Sequence, residues 1–189
     1  MTKKHIITIA GELGSGKSSV ADLLKEELNY EIYRNGEYFR SLAKKNGMSV
    51  KDFNIYVKQH PQIDRDIEKS AQLYAQEHDN LIIDARLGWY AVPNSFKVYL
   101  TVDTDVAASR AFEDEKRKET ESFNSVEEQK KDMIERYKLE NDRYFVLYKI
   151  HKEDVSNYDF ILDTTNLTLL EVKNKIIIAY TTWLEKSLI

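Results

Sequence analysis

The run Gly11-Glu12-Leu13-Gly14-Ser15-Gly16-Lys17-Ser18 constrains this chain more than any other segment. It matches the spacing G-x-x-x-x-G-K-[ST], and each fixed residue has a physical reason to be there. A loop that wraps a polyphosphate turns several backbone N–H groups inward, and glycines are needed where a Cβ would block that turn. The helix expected to begin near Lys17 adds the positive end of its dipole to the same anion. The Lys17 ammonium reaches the outer phosphates, and the Ser18 hydroxyl is placed to hold Mg²⁺. Such a loop also requires a strand before it and a helix after it. His5 to Ala10 reads as a short buried strand, and Val20, Leu23, Leu24 and Leu28 recur at helical spacing. The expected nucleotide-binding residues are therefore Gly11, Gly14, Ser15, Gly16, Lys17, Ser18 and Ser19.

The rest of the chain alternates in the same way. Strands are expected at 31–33, 81–84, 96–101 and 158–163, and helices at 36–46, 49–59, from Ile63 to Tyr74, from Thr104, from Val126 and at 168–186. Short apolar strands separated by amphipathic helices imply an α/β fold, a parallel sheet covered on both faces. Ligands of such sheets sit at the carboxyl ends of the strands. At 189 residues, with no repeat and no linker rich in Pro or Gly, one domain over 1–189 is expected.

Composition removes several function classes. The balance of 28 basic and 32 acidic residues does not suit a surface for nucleic acid or anionic lipid. With no Cys there is neither a disulfide framework nor a thiolate zinc site. His5, His60, His78 and His151 lack ligand spacing, so no histidine metal site is expected. No stretch is long and apolar enough for a secretory signal or a membrane span, and a cytoplasmic chain is expected. A GTP-binding switch would carry Asn-Lys-x-Asp, whereas Asn174-Lys175 is followed by Ile176-Ile177 inside an expected helix.

A small chain with scattered arginines suits phosphoryl transfer between two anions, which depends more on aligned cations than on a strong base. The candidates are Arg40, Arg65, Arg86, Arg110, the run Lys116-Arg117-Lys118, Arg136 and Arg143. Each has the alternative of an ordinary surface arginine, but Arg86 lies just past a strand expected beside the cradle. Asp84, at the end of that strand, is placed either to support Mg²⁺ or to cap the turn that follows.

Several segments together resemble the short, archaeal-type cytidylate kinases of the nucleoside monophosphate kinase family. They are Gly11 to Ser19, Gly36-Glu-Tyr-Phe-Arg-Ser-Leu-Ala43, Gly47-Met-Ser49, Pro61-Gln-Ile-Asp-Arg65, Asp84-Ala-Arg86-Leu87 with Trp89, Glu140 through Tyr144, and Tyr158 to Thr164. The resemblance implies a P-loop three-layer fold with a five-stranded parallel sheet, a helical insert for the nucleoside monophosphate (NMP) at about 36–80 and a lid at about 113–125. It implies ATP-dependent transfer to CMP or dCMP, giving ADP and the diphosphate, with Mg²⁺ at Ser18 and Asp84. By the same resemblance Arg40, Asp64, Arg65 and Arg86 hold the acceptor, while Lys17, Arg110 and Arg136 act on the moving phosphoryl group. The expected partners are small nucleotides, and the expected state is a monomer. The chain departs from the family pattern at Glu12, where Pro is usual, at Ala85, in the shortened Arg86-Leu-Gly-Trp-Tyr90, and at Asp114, where a second lid arginine is expected. These departures leave room for a kinase of another small acceptor, or for a nucleotide-binding module with weak turnover.

Overall fold

The computed structural model describes residues 4–114 and 123–186. Strands β1 (Ile6–Gly11), β2 (Glu31–Arg34), β3 (Leu81–Asp84), β4 (Phe96–Thr101) and β5 (Phe160–Asp163) form one parallel sheet in the order β2-β3-β1-β4-β5. The phosphate loop thus leaves the central strand at its carboxyl end, beside Asp84 of β3 and Leu100 of β4, because Ile9 pairs with Asp84 and Gly11 with Leu100. β1 is buried along its whole length, as a strand covered on both faces requires.

The alternation along β1 sends its side chains to two different layers. Ile7 and Ile9 pack with Val20 and Leu24 of α1 (Lys17–Leu28) and with Ile176 and Tyr180 of the last helix, α8 (Leu169–Lys186). On the opposite face Thr8 hydrogen-bonds Ser95 at 3.0 Å, and Ile6 packs with Leu81, Ile83 and Ala75.

Between β2 and β3 the chain makes an excursion through α2 (Asn35–Lys45), α3 (Val50–Gln59) and α4 (Pro61–Glu77). Ser49 caps α3 by accepting the Asp52 N–H at 3.0 Å, and Pro61 opens α4 where its missing N–H costs nothing. This excursion closes on a small core of its own, Ala43, Phe53 and Val57, with Phe39 edge-on to Phe53. Its helices therefore stand beside the sheet's carboxyl edge and form a second wall there.

A short helix, α5 (Gly88–Ala91), follows β3, and α6 (Thr104–Glu113) follows β4. Met133 of α7 (Val126–Tyr148) packs on Ala107, Ala108 and Ala111 of α6. The expected last strand starts two residues late. Tyr158 instead ends a short 3₁₀ turn at Val155–Asn157, and the ladder begins at Phe160. Helix α5, with only four residues, is too short for periodicity to reveal and was not expected.

Candidate active site

A cavity of about 710 Å³ opens along the carboxyl edge of the sheet. Its donor end is the loop between β1 and α1. Gly14 and Gly16 hold φ of 79° and 86°, conformations open to glycine, and Gly16 in that state is the residue that starts α1. Gly14, Ser15, Gly16, Lys17, Ser18 and Ser19 all line the cavity. Gly11 does not. A Cβ on Gly11 would stand 2.2 Å from the Leu100 carbonyl oxygen, so this glycine is required for close approach of β1 to β4.

Lys17 folds back over the loop, its ammonium donating to the Glu12 carbonyl and, at 3.4 Å, to the Ser15 hydroxyl. Glu12 itself accounts for one departure from the family pattern. Its carboxylate accepts the Val102 N–H at 2.7 Å and ties the loop to the end of β4. The Ser18 hydroxyl donates to Asp84 Oδ2 at 2.7 Å, and Arg34 Nε stands 3.9 Å from the same oxygen. One hydroxyl and one carboxylate at the mouth of an anion cradle are the hard oxygen donors that Mg²⁺ takes when phosphate and water complete its shell. These residues fit that ion. Among the described residues no group of three or more His, Cys, Asp or Glu could hold a metal without such help.

The other end of the cavity is built from side chains of α2, α3, α4 and α7 and of the segment after β3. Arg86 donates to Glu140 of α7, and Lys152 reaches the same Glu140 oxygen at 3.0 Å. Burial opposes ionisation of Glu140, yet Arg86 and Lys152 hold its carboxyl well below the usual carboxylate range. Burial likewise pushes the Lys152 ammonium down, against the pull of Glu140. Next along α7, Arg143 Nε lies 2.7 Å from Asp64 Oδ2, and its Nη1 donates to Asn54 Oδ1 at 2.7 Å. The Phe39 ring centre is 5.6 Å from its guanidinium carbon. Burial raises the Asp64 carboxyl to about 6 despite Arg143.

The structure brings Arg40, Asp64, Arg86, Arg110 and Arg136 to the cavity wall together with Lys17, Ser18 and Asp84. Arg110 spans to the β5–α8 turn, donating to the Thr164 and Thr165 carbonyls at 3.0 and 3.1 Å, and Arg136 pairs with Asp132 at 3.7 Å. Arg65, also in the expected set, stands apart from them. It is exposed and does not line the cavity, because successive helix residues turn about 100° apart and Asp64 takes the inward direction. Arg143 lines the cavity where Arg65 does not. Asp114 lines the cavity. Most of the expected lid at 113–125, with Lys116, Arg117 and Lys118, lies outside the described residues.

Sequence reasoning gave no role to Asn35, Asn54, Glu68 or Glu140, and named Arg143 only as one of several candidate cations. A signal existed for two of them: the buried residues of α7 include Gln129, Met133, Arg136, Glu140 and Arg143. Charges that continue an apolar stripe at helical spacing point inward and need partners.

The sheet order and the phosphate loop are those of a P-loop kinase. The family model described as AAA domain matches residues 7–136. The cytidylate kinase of Thermoplasma acidophilum is 35% identical over 162 residues, covering 84% of this chain and 82% of that one. The chain belongs to the nucleoside monophosphate kinase family, among relatives of the archaeal cytidylate kinases. As a P-loop kinase it shares the family's use of ATP. A second relative, the S-adenosylmethionine-dependent nucleotide dehydratase of Lacinutrix mariniflava, is 33% identical over 178 residues, which are 94% of this chain but 36% of that longer protein. In fold the chain is similar to shikimate kinase from Acinetobacter baumannii, with a TM-score of 0.58 at 15% identity, over 92% of this chain and 91% of that one. No helix among the described residues is long and apolar enough to cross a membrane.

Proposed function

We propose that this P-loop kinase transfers the terminal phosphoryl group of ATP to a pyrimidine nucleoside monophosphate, CMP or dCMP first, and releases ADP and the diphosphate. The observation that carries this reading is the continuity of the cavity: one chamber of about 710 Å³ joins the phosphate loop to Arg40, Arg86, Asp64 and Arg143. Its two ends suit two anions brought into line. The relatives support a nucleotide as acceptor, since cytidylate kinases and a nucleotide dehydratase carry the matching sequence.

The chemistry asked of the protein is positioning and charge neutralisation. Loop N–H groups and Lys17 take the outer phosphates of ATP. Ser18 and Asp84 are the residues that would hold Mg²⁺, whose charge screens the phosphates when it is bound. Arg86, fixed by Glu140, grips the acceptor phosphate with Arg40, and Arg110 and Arg136 face the transferring group from α6 and α7. The helical excursion from about 36 to 80 serves as the NMP-binding region.

A coupled assay of ADP release tests this with CMP, dCMP, UMP, AMP and no acceptor. Turnover highest with CMP or dCMP supports the reading. ATP binding without acceptor-dependent ADP release would sink it in favour of a binding module, and turnover confined to another acceptor would reassign the substrate.

A further inference from the structure

The acceptor end holds a second polar pair. Asn35 opens α2 and is buried, and Glu68 sits one turn beyond Asp64 on α4. Asn35 Nδ2 lies 3.4 Å from Glu68 Oε1, the donor side of a long hydrogen bond. The other oxygen of each, Asn35 Oδ1 and Glu68 Oε2, is buried with no hydrogen-bond partner in the protein. Both residues line the cavity. A buried polar oxygen left unpaired costs about 1–3 kcal/mol, so two of them in one pair of cavity-lining residues call for a ligand edge that meets them.

The surroundings of Glu68 differ from those of Glu140. It is faced by Asp64 on its own helix, by Asn35 from α2, by Arg86 from the segment after β3, and by Arg143, Tyr144 and Tyr148 from α7. Among the described residues no cation forms an ion pair with it. Burial, with the Asp64 carboxyl beside it, pushes the Glu68 carboxyl up to about 8, against the weaker opposing effects of the Asn35 hydrogen bond and of Arg143 and Arg86. Near pH 7 it is therefore a neutral acid, with an O–H to donate and a carbonyl to accept, whereas its ionised form only accepts. Cytosine and uracil differ in the group at position 4, an amino donor in one and a carbonyl acceptor in the other.

We propose that Asn35 and Glu68 together read the position-4 group of the acceptor's base, and that the ionisation of Glu68 sets which pyrimidine is taken. The neutral acid accommodates an amino or an oxo group there. The carboxylate accepts the amino group and repels the oxo group. This rests on the proposed nucleoside monophosphate acceptor.

Calorimetric titration of the full chain with CMP and with UMP, at pH 6.5 to 9, tests it without turnover. UMP affinity is expected to fall about tenfold between pH 7 and pH 9, while CMP affinity changes less than about twofold. UMP binding at pH 9 is expected to take up a proton, seen as a heat that varies with the ionisation enthalpy of the buffer. In Glu68→Gln, which stays neutral, the UMP slope and the proton uptake both disappear. Equal slopes for the two nucleotides, binding of neither, or a UMP slope that survives in Glu68→Gln and so belongs to the uracil N3–H overturns the proposal. Flat titrations with transfer to CMP intact would defeat this inference and leave the kinase reading standing. The expected slopes without any transfer would do the reverse.

Discussion

At the donor end of the cavity the wall is built on one stretch of chain, Leu13 to Ser19, which offers a ligand mainly backbone N–H groups and a single ammonium. At the acceptor end the wall comes from α2, α3, α4, α7 and the segment after β3, and it works through buried side chains that hold one another: Arg86 with Glu140 and Lys152, Arg143 with Asp64 and Asn54. The first is encoded locally, by glycines that permit one turn. The second exists only after the helices have packed, since each charge is tolerable in the interior only beside its partner. The two ends should therefore fail differently. Damage to the first should remove chemistry and leave folding alone, whereas damage to the second should take stability with it.

The largest effect is expected from Lys17→Ala. Lys17 is partly exposed and donates to Glu12 and Ser15 of its own loop, so the variant should unfold at nearly the wild-type denaturant concentration while turnover falls by about 100- to 1000-fold or more. Steady-state rates beside urea unfolding curves check both halves. Near-normal turnover, or a large loss of stability, would break the contrast.

Glu140→Leu should show the opposite pattern. It leaves the Arg86 and Lys152 cations buried without their shared carboxylate, and a loss of about 3–5 kcal/mol is expected from urea unfolding at pH 7. The sign with pH follows from the depressed Glu140 carboxyl. Its contribution is complete above the unfolded value of about 4.3 and fades as pH falls through the lower folded value. The gap between wild type and variant should therefore narrow at pH 3. A gap that is small at pH 7, or that widens in acid, would show that the pair is not what holds α7 to the segment after β3.

This contrast also explains how far the sequence could be read. Lys17, Ser18 and the loop glycines were legible because their spacing alone specifies a turn, and Asp84 because a strand end beside that turn has one place to be. The five strands followed from apolar runs, and their parallel pairing from the helices between them. Arg65 stands on the exposed side of α4 while its neighbour Asp64 lines the cavity, a difference that a motif of adjacent residues does not reveal. Arg143 and Glu140 were visible as charges on the buried stripe of α7, but which partners they would meet is settled by α3 and α4, about 80 residues earlier in the chain. Asn35 and Glu68 gave no signal, because nothing in their local sequence separates them from surface polar residues.

A smaller effect is expected where Arg143 and Arg65 are compared directly. Arg143→Ala removes a hydrogen bond to Asn54 and the ion pair with Asp64, so the acceptor KM should rise about 10- to 100-fold with ATP affinity little changed. Arg65→Ala, on the exposed side of α4, should alter either value by less than about twofold. If the two variants exchange these outcomes, Arg65 rather than Arg143 meets the acceptor in the working enzyme.

The smallest effect probes a place where the donor end depends on a tertiary side-chain contact. Glu12 stands where the family favours proline, and its carboxylate accepts the Val102 N–H at 2.7 Å. Proline at that position would fix the loop by restricting its own backbone, whereas Glu12 fixes it by fastening to β4. Glu12→Ala cuts that fastening and leaves an N–H without its partner, a loss of about 1 kcal/mol, which corresponds to about a fivefold weaker ATP Kd if the free loop must be reordered on binding. Glu12→Gln keeps an acceptor oxygen in reach of Val102 and should restore most of the affinity. Were Glu12→Ala to bind ATP as tightly as the wild type, the glycine turn would be sufficient alone, and the contrast between a locally encoded donor end and a packed acceptor end would become sharper. Were Glu12→Gln as weak as Glu12→Ala, the charge of Glu12 rather than its hydrogen bond would be what the loop requires.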